Sequence, residues 1–350
     1  MIFARLHRLG AASLLIAAWI LAHGGPSSAA AAAAPYKGAI VLDAATGATL
    51  FTNNANAVSP PASMTKLMTY AVLVDLMHQG TIALDTSVTV TRDDAKVGMW
   101  ADSTSVWLKQ GEVFTVEELI YAMMIQSAND AAYCLAHKAG GSVEAFVALM
   151  NSKAQELGMT HSTFRTPHGF PYPSRKIAEG DLTSPSDFAM LCRHLVLHTD
   201  VLKYTSVKTR AFGSGQRMPP TQMRNHNHLL GQIDGVDGLK TGFTNGAGFC
   251  LSATAERNGH RVIVVMMDSP DSRTRDLNVR QLIEKGLAAI PVTEAPFARE
   301  GAGAGGVREV PATATAPGGR AAPTRPSPGS VHPVPDAAPP AGPVIHYPGL

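Results

Sequence analysis

The sequence GFCLSATAERNGHRVIVVMM, residues 248–267, decides the fold class. Its two apolar runs, 248–255 and 261–267, each have the length of a buried strand, and Asn258-Gly259 lies between them. Asn-Gly is the preferred pair for a two-residue turn, because both positions of that turn need positive φ. The stretch therefore predicts an antiparallel hairpin near the C-terminal end of the globular part.

A second hairpin is predicted near the N-terminus, where residues 40–42 and 49–51 are apolar and flank a turn at Gly47. The sequence between the hairpins has helical periodicity and helix-capping signals. The predicted helices cover 62–77, 117–125, 131–139, 142–157, 185–198 and, after the second hairpin, 275–287. We therefore expect an α+β protein with one antiparallel sheet from the N- and C-terminal segments, flanking helices and an inserted all-helical lobe.

Two details of these helices are specific enough to test. Thr115 and Glu118 have the spacing of a capping box at a helix start. In the last helix, Leu277, Leu282 and Ile283 are expected to share the buried side.

Composition limits the class of protein. The chain has 350 residues and a formal net charge of +2, which excludes a strongly basic nucleic-acid binder. The three cysteines, Cys134, Cys192 and Cys250, are far apart and cannot form a disulfide framework. We expect Cys134 and Cys250 to be buried core thiols.

The two ends of the chain differ from its middle. Residues 1–34 have two arginines, a 12-residue apolar run and a string of alanines, the pattern of an export signal. Residues 293–350 lie in a Pro/Gly/Ala-rich stretch without periodicity, which predicts a disordered tail without a clear membrane anchor. The globular domain is then 35–292, and we expect it in the periplasm or cell envelope.

The first motif that carries chemistry is Ser63-Met64-Thr65-Lys66, at a predicted helix start. Positions i and i+3 share one helix face, so the amine of Lys66 can lie over the hydroxyl of Ser63. A serine nucleophile needs a base, and a lysine serves if burial or a nearby cation lowers its pKa. Alone, the same spacing also fits a capped surface helix.

The second motif, Ser127-Ala128-Asn129, interrupts the helical pattern with polar residues. A hydroxyl and an amide two residues apart can face one cleft, where the serine relays a proton and the amide binds a peptide backbone. An ordinary turn between helices fits the same residues.

The third motif, Lys240-Thr241-Gly242 before Phe243, lies in a strand-like stretch. A cation and a hydroxyl on a strand edge can hold a carboxylate. Gly242 is expected to let a ligand lie flat against the strand. The backbone N–H groups of Ser63 and Phe243 can supply two oxyanion donors.

Together, the three motifs in this order are the signature of penicillin-binding proteins and class A β-lactamases. The chain resembles the low-molecular-mass penicillin-binding proteins, the D-alanyl-D-alanine carboxypeptidases of serine peptidase family S11. The likeness covers roughly residues 36–290 and includes PPASMTKLMT, IQSANDAA and GVDGLKTGFTNGAGFCLSATAERNG.

The resemblance implies that Ser63 is acylated, that Lys66 accepts its proton and that Ser127 passes the proton to the leaving D-alanine. It implies that Asn129 binds the acyl-side peptide amide and that Lys240 and Thr241 bind the substrate carboxylate. The implied substrate is a peptidoglycan stem peptide ending in D-Ala-D-Ala, with β-lactams as covalent inhibitors and no cofactor.

Several alternatives are weighed against this interpretation. A class A β-lactamase needs a glutamate-bearing loop, and the corresponding residues 161–173 contain no acid. A D,D-endopeptidase that cuts cross-links would use the same groups, so it stays open. A catalytically weak penicillin-sensing or wall-binding module is disfavoured by the intact motifs. His226 and His228 make only half a zinc site, and the low net charge disfavours a nucleic-acid partner.

Overall fold

Strands from both ends of the described chain form one antiparallel sheet, which confirms the α+β class. The computed structural model describes residues 34–171, 174 and 176–290. The strands are β1 (Gly38–Asp43), β2 (Thr49–Asn53), β3 (Ser87–Thr89), β4 (Val113–Thr115), β5 (Thr209–Phe212), β6 (Thr221–Arg224), β7 (Val236–Thr244), β8 (Gly248–Arg257) and β9 (His260–Ser269). The main sheet has the order β2-β1-β9-β8-β7, and the other four strands form two small hairpins.

Both predicted hairpins of the main sheet are present. Asn258 and Gly259 have φ values of 51° and 76° and connect β8 to β9 as a two-residue turn. Positive φ at both positions matches the right-handed twist of the paired strands. The N-terminal hairpin pairs β1 with β2 through the turn that contains Gly47, whose φ is 77°.

The helices lie between and after these strands. They are α1 (Lys66–His78), α2 (Arg92–Gly98), α3 (Val116–Tyr121), α4 (Asn129–Gly140), α5 (Val143–Glu156), α6 (Pro185–His198), α7 (Val201–Thr205) and α8 (Ser272–Ala289). The helices α6 and α8 pack on the main sheet, while α2–α5 form the inserted lobe around a shared apolar core. None of the helices in the described part of the chain has the length and apolar character needed to span a bilayer.

The predicted capping box at α3 is only half formed. The hydroxyl of Thr115 accepts the backbone N–H of Glu118 at 3.2 Å, as expected. The carboxylate of Glu118 accepts instead from Arg210 Nη2 at 3.0 Å and from the backbone N–H of Gly213 at 3.1 Å. The carboxylate of Glu118 therefore binds two groups that are distant in sequence, the guanidinium of Arg210 and the backbone N–H of Gly213. It does not bind the backbone N–H of Thr115 at the start of its own helix, as a capping box requires.

The prediction of which residues of α8 are buried is wrong at one position. Leu282 and Ile283 are buried, but the Leu277 side chain is largely exposed. The buried face also contains Val279 and, unexpectedly, Arg275, of which only 3% is exposed. The helix thus presents a charged residue to the protein interior, close to the functional residues described below.

All three cysteines are free and buried, which confirms the expectation for Cys134 and Cys250. Burial raises the pKa of each thiol, to about 12 for Cys192 and Cys250. The predicted signal segment, apart from Ala34, and the predicted tail 293–350 lie outside the described residues.

Candidate active site

Ser63 lies in a tight helical turn, Ala62–Thr65, that continues into α1. Two glycines pack closely against this turn. A Cβ on Gly242 of β7 would lie 2.4 Å from the carbonyl oxygen of Pro61, and a Cβ on Gly169 would lie 1.8 Å from that of Ala62. Gly242 therefore faces the serine-bearing turn, and its expected role of letting a ligand lie flat on the strand is not what this geometry provides.

The amine of Lys66 lies among three oxygens. Its Nζ atom is 2.8 Å from Ser63 Oγ, 2.7 Å from Asn129 Oδ1 and 2.9 Å from the carbonyl oxygen of His168. The lysine is completely buried, although it lies at the first position of its helix. The amine of Lys66 thus contacts a residue of the first motif, Ser63, and a residue of the second motif, Asn129.

The environment of Lys66 favours its neutral form. Burial, followed by repulsion from Lys240, holds the pKa of Lys66 well below its ordinary value of 10.5. Asp130 and Asp181 act in the opposite direction but do not reverse the shift. This direction agrees with the one expected from the sequence, because a low-dielectric site penalises an ammonium ion.

Ser127 and Asn129 occupy a distortion between two helices. A wider helical turn, Ala122–Gln126, ends at Ser127, whose φ of 63° stops the α-helical pattern. Asn129 then opens α4, and its backbone N–H donates to the carbonyl of Thr104 at 2.8 Å. The polar break predicted from the sequence is therefore a true change of backbone direction.

The contacts of these two side chains differ from the expected ones. Asn129 Oδ1 accepts from Lys66, and Asn129 Nδ2 donates to Ser103 Oγ at 3.1 Å, so both ends of the amide are engaged. Ser127 is buried beside this pair, but its hydroxyl is not hydrogen-bonded to Ser63, Lys66 or Lys240. Asn129 thus holds the amine of Lys66 in place and also lines the cavity described below.

Lys240 and Thr241 lie on β7, which packs against the serine-bearing turn. Lys240 is buried, and its Nζ donates to the carbonyl of Thr241 at 3.2 Å. Burial and the nearby guanidinium of Arg275 lower the pKa of Lys240 to about 7. The cation that the third motif supplies therefore lies where burial and a neighbouring charge both favour its neutral form.

Arg275 is a functional candidate that the sequence analysis missed. Its guanidinium is bonded to Asp276 Oδ1 at 2.9 and 2.7 Å and lies close enough to Lys240 to influence its titration. The sequence did contain an indication of this residue, a basic side chain on the apolar face of an amphipathic helix. Burying a charge there is costly unless the charge is paired.

A cavity of about 310 Å³ opens on one side of Ser63. One part of its wall is apolar and includes Phe170, Ile177 and Phe243, and another part is polar and includes Asn129. Lys240 and Thr241 do not line it. The nucleophile therefore lies at a boundary between an open cavity and the buried end of β7.

Asp181 is a second functional candidate that the sequence did not reveal, since it lies eight residues beyond 161–173, the segment that corresponds to the glutamate-bearing loop. It lines the cavity and accepts from Thr65 Oγ1, Thr166 Oγ1 and the backbone N–H groups of Arg165 and Thr166. Burial nevertheless raises the pKa of Asp181 above its ordinary value. Its contacts tie the segment after α5 to the serine-bearing turn.

The two histidines considered as half a metal site have separate surroundings. His228 Nδ1 lies 3.1 Å from Asp276 Oδ2, while His226 lies near the site lysines. No group of three or more metal-ligating side chains occurs in residues 34–171, 174 and 176–290.

Comparison with known proteins identifies relatives over most of the described residues. A family model described as D-alanyl-D-alanine carboxypeptidase matches residues 26–271. The chain is 31% identical over 248 residues to D-alanyl-D-alanine carboxypeptidase DacF of Bacillus subtilis and 35% identical over 251 residues to DacC of Escherichia coli. Each match covers 71% of this chain but only 61% and 60% of those relatives.

Solved structures with the same fold include two penicillin-binding proteins. Penicillin-binding protein D2 of Listeria monocytogenes, in its ampicillin-bound form, superposes with a TM-score of 0.63 at 31% identity and covers 72% of this chain and 97% of that one. Penicillin-binding protein 6B of Escherichia coli gives a TM-score of 0.65 at 32% identity, covering 72% and 77%.

Proposed function

Because the chain belongs to the D-alanyl-D-alanine carboxypeptidase family, we propose that it removes the terminal D-alanine from peptidoglycan stem pentapeptides through an acyl-enzyme on Ser63. This activity trims cell-wall precursors and limits cross-linking. The observation that carries the proposal is the 2.8 Å contact between Lys66 Nζ and Ser63 Oγ inside a buried site. The predicted export signal supports a location outside the cytoplasm.

Neutral Lys66 is arranged to act as the base. A neutral amine has two N–H donors and one lone pair, and two of its three neighbours are carbonyl oxygens, on Asn129 and His168. Those oxygens can only accept, so they take both donors. The lone pair is then left for the hydroxyl proton of Ser63, which is the transfer that a serine nucleophile requires.

Acylation and hydrolysis follow from that transfer. Ser63 Oγ attacks the carbonyl carbon of the penultimate D-alanine, while Lys66 holds the proton. The C–N bond breaks, the departing amine takes the proton by way of Ser127, and an ester remains on Ser63. Water then splits the ester, giving the shortened peptide and restoring the serine hydroxyl. The backbone N–H groups of Ser63 and Phe243 serve as donors to the oxyanion.

Lys240 and Thr241 are proposed to receive the carboxylate of the leaving D-alanine, with Arg275 adding a second positive charge. An anion next to Lys240 raises the pKa of that lysine, because an opposite charge favours the charged form. Substrate binding is then coupled to proton uptake when the free site is above about pH 7.

The position of the cavity favours a carboxypeptidase over the endopeptidase alternative. The cavity lies on the side of Ser63 bounded by Phe170 and Ile177, where it can accept the long acyl part of the stem peptide. The side at Lys240 and Thr241, which do not line the cavity, is only 2% and 7% exposed. That side suits a single amino acid better than the second peptide of a cross-link.

β-Lactams are proposed to acylate the same serine. The fused ring system places a carboxylate and a strained amide where D-Ala-D-Ala would bind. Attack by Ser63 opens the strained ring and forms an ester, and the amine released from the amide stays covalently attached to the acyl group. Asp181 is an acid that lines the cavity, but four donors already occupy its oxygens. We therefore expect slow release of the adduct instead of β-lactamase turnover.

The test is to incubate the protein with a pentapeptide monomer and with a cross-linked dimer, and to measure released D-alanine and dimer cleavage separately. We expect release from the monomer and little cleavage of the dimer. Ser63→Ala should abolish both release and penicillin labelling. Ser152→Ala, an exposed serine on α5, is the matched control and should retain both. Faster cleavage of the dimer would favour the endopeptidase, and labelling without turnover would favour the penicillin-sensing module.

A further inference from the structure

The segment 165–169 forms a tight turn beside the serine-bearing turn. The hydroxyl of Thr166 accepts the backbone N–H of Gly169 at 2.8 Å, which closes this second turn. Within it, the carbonyl oxygen of His168 lies 2.9 Å from Lys66 Nζ. The position of the turn therefore decides where one of the three oxygens around the amine lies.

Asp181 binds this turn and the serine-bearing turn at the same time. Its Oδ1 accepts the backbone N–H of Thr166 at 2.9 Å, and its Oδ2 accepts the hydroxyls of Thr166 and Thr65, each at 2.9 Å. Thr65 directly precedes Lys66 in the chain, and Thr166 lies two residues before His168. A single carboxylate thus holds together the two segments that carry the amine and one of its acceptors.

The contacts of the Asp181 carboxylate are all of one kind. Only 4% of the residue is exposed, and each of its four contacts comes from a group that donates, the backbone N–H of Arg165 at 2.6 Å included. Burial raises the pKa of this carboxyl above its ordinary value, and the four donors oppose that shift by favouring the carboxylate, which only accepts. Asp181→Asn replaces one accepting oxygen with a donating nitrogen, so it cannot accept from all four groups.

Other contacts keep the turn in place without the aspartate. Thr69 Oγ1 donates to the carbonyl of Pro167 at 2.6 Å, and Gly169 packs closely against the carbonyl of Ala62. We therefore expect the turn to stay in the fold when Asp181 is altered. What the aspartate adds is the alignment of the turn with the serine-bearing segment.

We propose that Asp181 is a positioning residue for the general base. Acting through Thr166, it keeps the carbonyl of His168 against the amine of Lys66. This inference rests on the proposed function, because it assigns a purpose to one contact of the proposed base. If that carbonyl moves away, one of the two N–H groups of the neutral amine is released and can donate to Ser63 Oγ. An amine in that orientation has no lone pair directed at the hydroxyl proton, so it cannot act as the base.

A direct contact with the ligand is the competing explanation, since Asp181 also lines the cavity beside Ser63. The two roles affect different steps. Misplacing the base slows the acylation of penicillin that is already bound, whereas loss of a ligand contact weakens binding before acylation. With increasing penicillin concentration, the first effect lowers the maximal acylation rate and the second raises the concentration that gives half of that rate.

The charge of Asp181 adds a second signature, in the pH dependence of acylation. Burial and repulsion from Lys240 lower the pKa of Lys66, while the negative charges of Asp130 and Asp181 raise it. The titratable groups that face Lys66 are Lys240 on β7, Asp130 on α4, Asp181, and the imidazoles of His168 and His226. Removing the charge of Asp181 therefore lowers the pKa of Lys66 further, and the acid limb of the acylation profile moves to lower pH.

The experiment measures acylation of Ser63 by a fluorescent penicillin up to saturation and across pH. It compares the wild type with Asp181→Asn, with Thr166→Val and with the double variant. Thr166→Val keeps the charge of the aspartate and removes the hydroxyl that links it to Gly169. It therefore separates the link from the charge, and it carries the same test if Asp181→Asn does not fold.

Asp187→Asn is the matched control. Asp187 is also buried, with 3% exposed, and it accepts the backbone N–H of His161 at 2.7 Å and the hydroxyl of Ser162 at 2.8 Å. Neither of these partners contacts the amine of Lys66. This variant should lower the melting temperature while leaving the maximal acylation rate and its pH profile unchanged.

We expect the maximal rate to fall by roughly tenfold to 100-fold in Asp181→Asn and in Thr166→Val, since a misplacement of about 1 Å between reacting groups costs roughly 100-fold. The half-saturating concentration should not change. The acid limb should move to lower pH in Asp181→Asn and stay near its wild-type position in Thr166→Val. The double variant should be no slower than the slower single variant, because both act through one link.

An unchanged maximal rate in both single variants would overturn the inference, as would an effect confined to the half-saturating concentration. Equal slowing in Asp187→Asn would also contradict it, because the effect would then be a general loosening of the fold. If the wild type is labelled at Ser63 and releases D-alanine while the variants behave in one of these ways, this inference alone is wrong. If no β-lactam labels Ser63 in the wild type, the proposed function fails and takes the inference with it.

Discussion

Replacing Gly242 with alanine tests whether β7 positions the nucleophile by direct packing. The new Cβ would lie 2.4 Å from the carbonyl oxygen of Pro61, whereas ordinary contact begins at 3.4 Å. Since the obstructing atom belongs to the backbone, no side-chain rotation can relieve the clash. The strand and the serine-bearing turn must separate by about 1 Å.

A displacement of that size has a predictable cost. A misplacement of about 1 Å between reacting groups lowers a rate by roughly 100-fold, and overpacking of this kind destabilises a fold by about 1–3 kcal/mol. We therefore expect Gly242→Ala to acylate roughly 100-fold more slowly with a fluorescent penicillin while its melting temperature falls by only several degrees.

The control for this prediction is Gly80→Ala, at the far end of α1. Gly80 has a φ of 74° and no heavy atom within 4 Å of the position of a Cβ. Its replacement should cost about 1 kcal/mol through the left-handed backbone and leave acylation unchanged. Acylation by Gly242→Ala at the rate of Gly80→Ala would refute the positioning role of β7.

Three further predictions concern the lysines and the tail. Lys66→Arg should acylate at a negligible rate, because arginine cannot release its proton, while Lys240→Arg should retain part of its activity. If a labelling assay shows normal acylation of Lys66→Arg and none of Lys240→Arg, Lys66 is not the general base. Loss of the proton from Lys66 should raise the wild-type acylation rates with a penicillin and with its methyl ester alike, whereas the ratio of the penicillin rate to the ester rate should fall above about pH 7 as Lys240 becomes neutral; a ratio that stays constant would contradict the role of Lys240. Deleting residues 293–350 should change neither the melting temperature nor the peptidase rate appreciably, since a Pro/Gly/Ala chain buries little apolar surface, and calorimetry that detects a loss of many degrees would exclude this.

Local patterns in the sequence were sufficient for the elements that depend on neighbouring residues. The Asn258-Gly259 turn is an example, because its two positive φ values are a property of the turn itself. The start of α6 is another, where Ser184 caps the helix and Pro185 occupies its first turn. The order of the three motifs likewise indicated the family before any geometry was available.

Other features depended on groups far away in the sequence. Glu118 was expected to cap its own helix, but its carboxylate is taken by Arg210, 92 residues later. Asn129 was expected to bind a ligand, and in the folded chain it lines the cavity while its amide oxygen accepts from Lys66, 63 residues earlier, a contact that the sequence did not predict. In each case a polar side chain has several possible partners, and the partner that the fold brings nearest prevails.

The sequence by itself therefore determined the α+β class, the two hairpins and the residues from which a serine acyl-transfer site is built. Only the tertiary structure decided the protonation states of the site residues and showed that Gly242 packs against the serine-bearing turn. Burial and long-range charges set the pKa values of Lys66, Lys240 and His226, and neither can be read from adjacent residues. Turns and helix starts are decided over a few residues, whereas desolvation and Coulomb interactions depend on everything that the fold packs around a group.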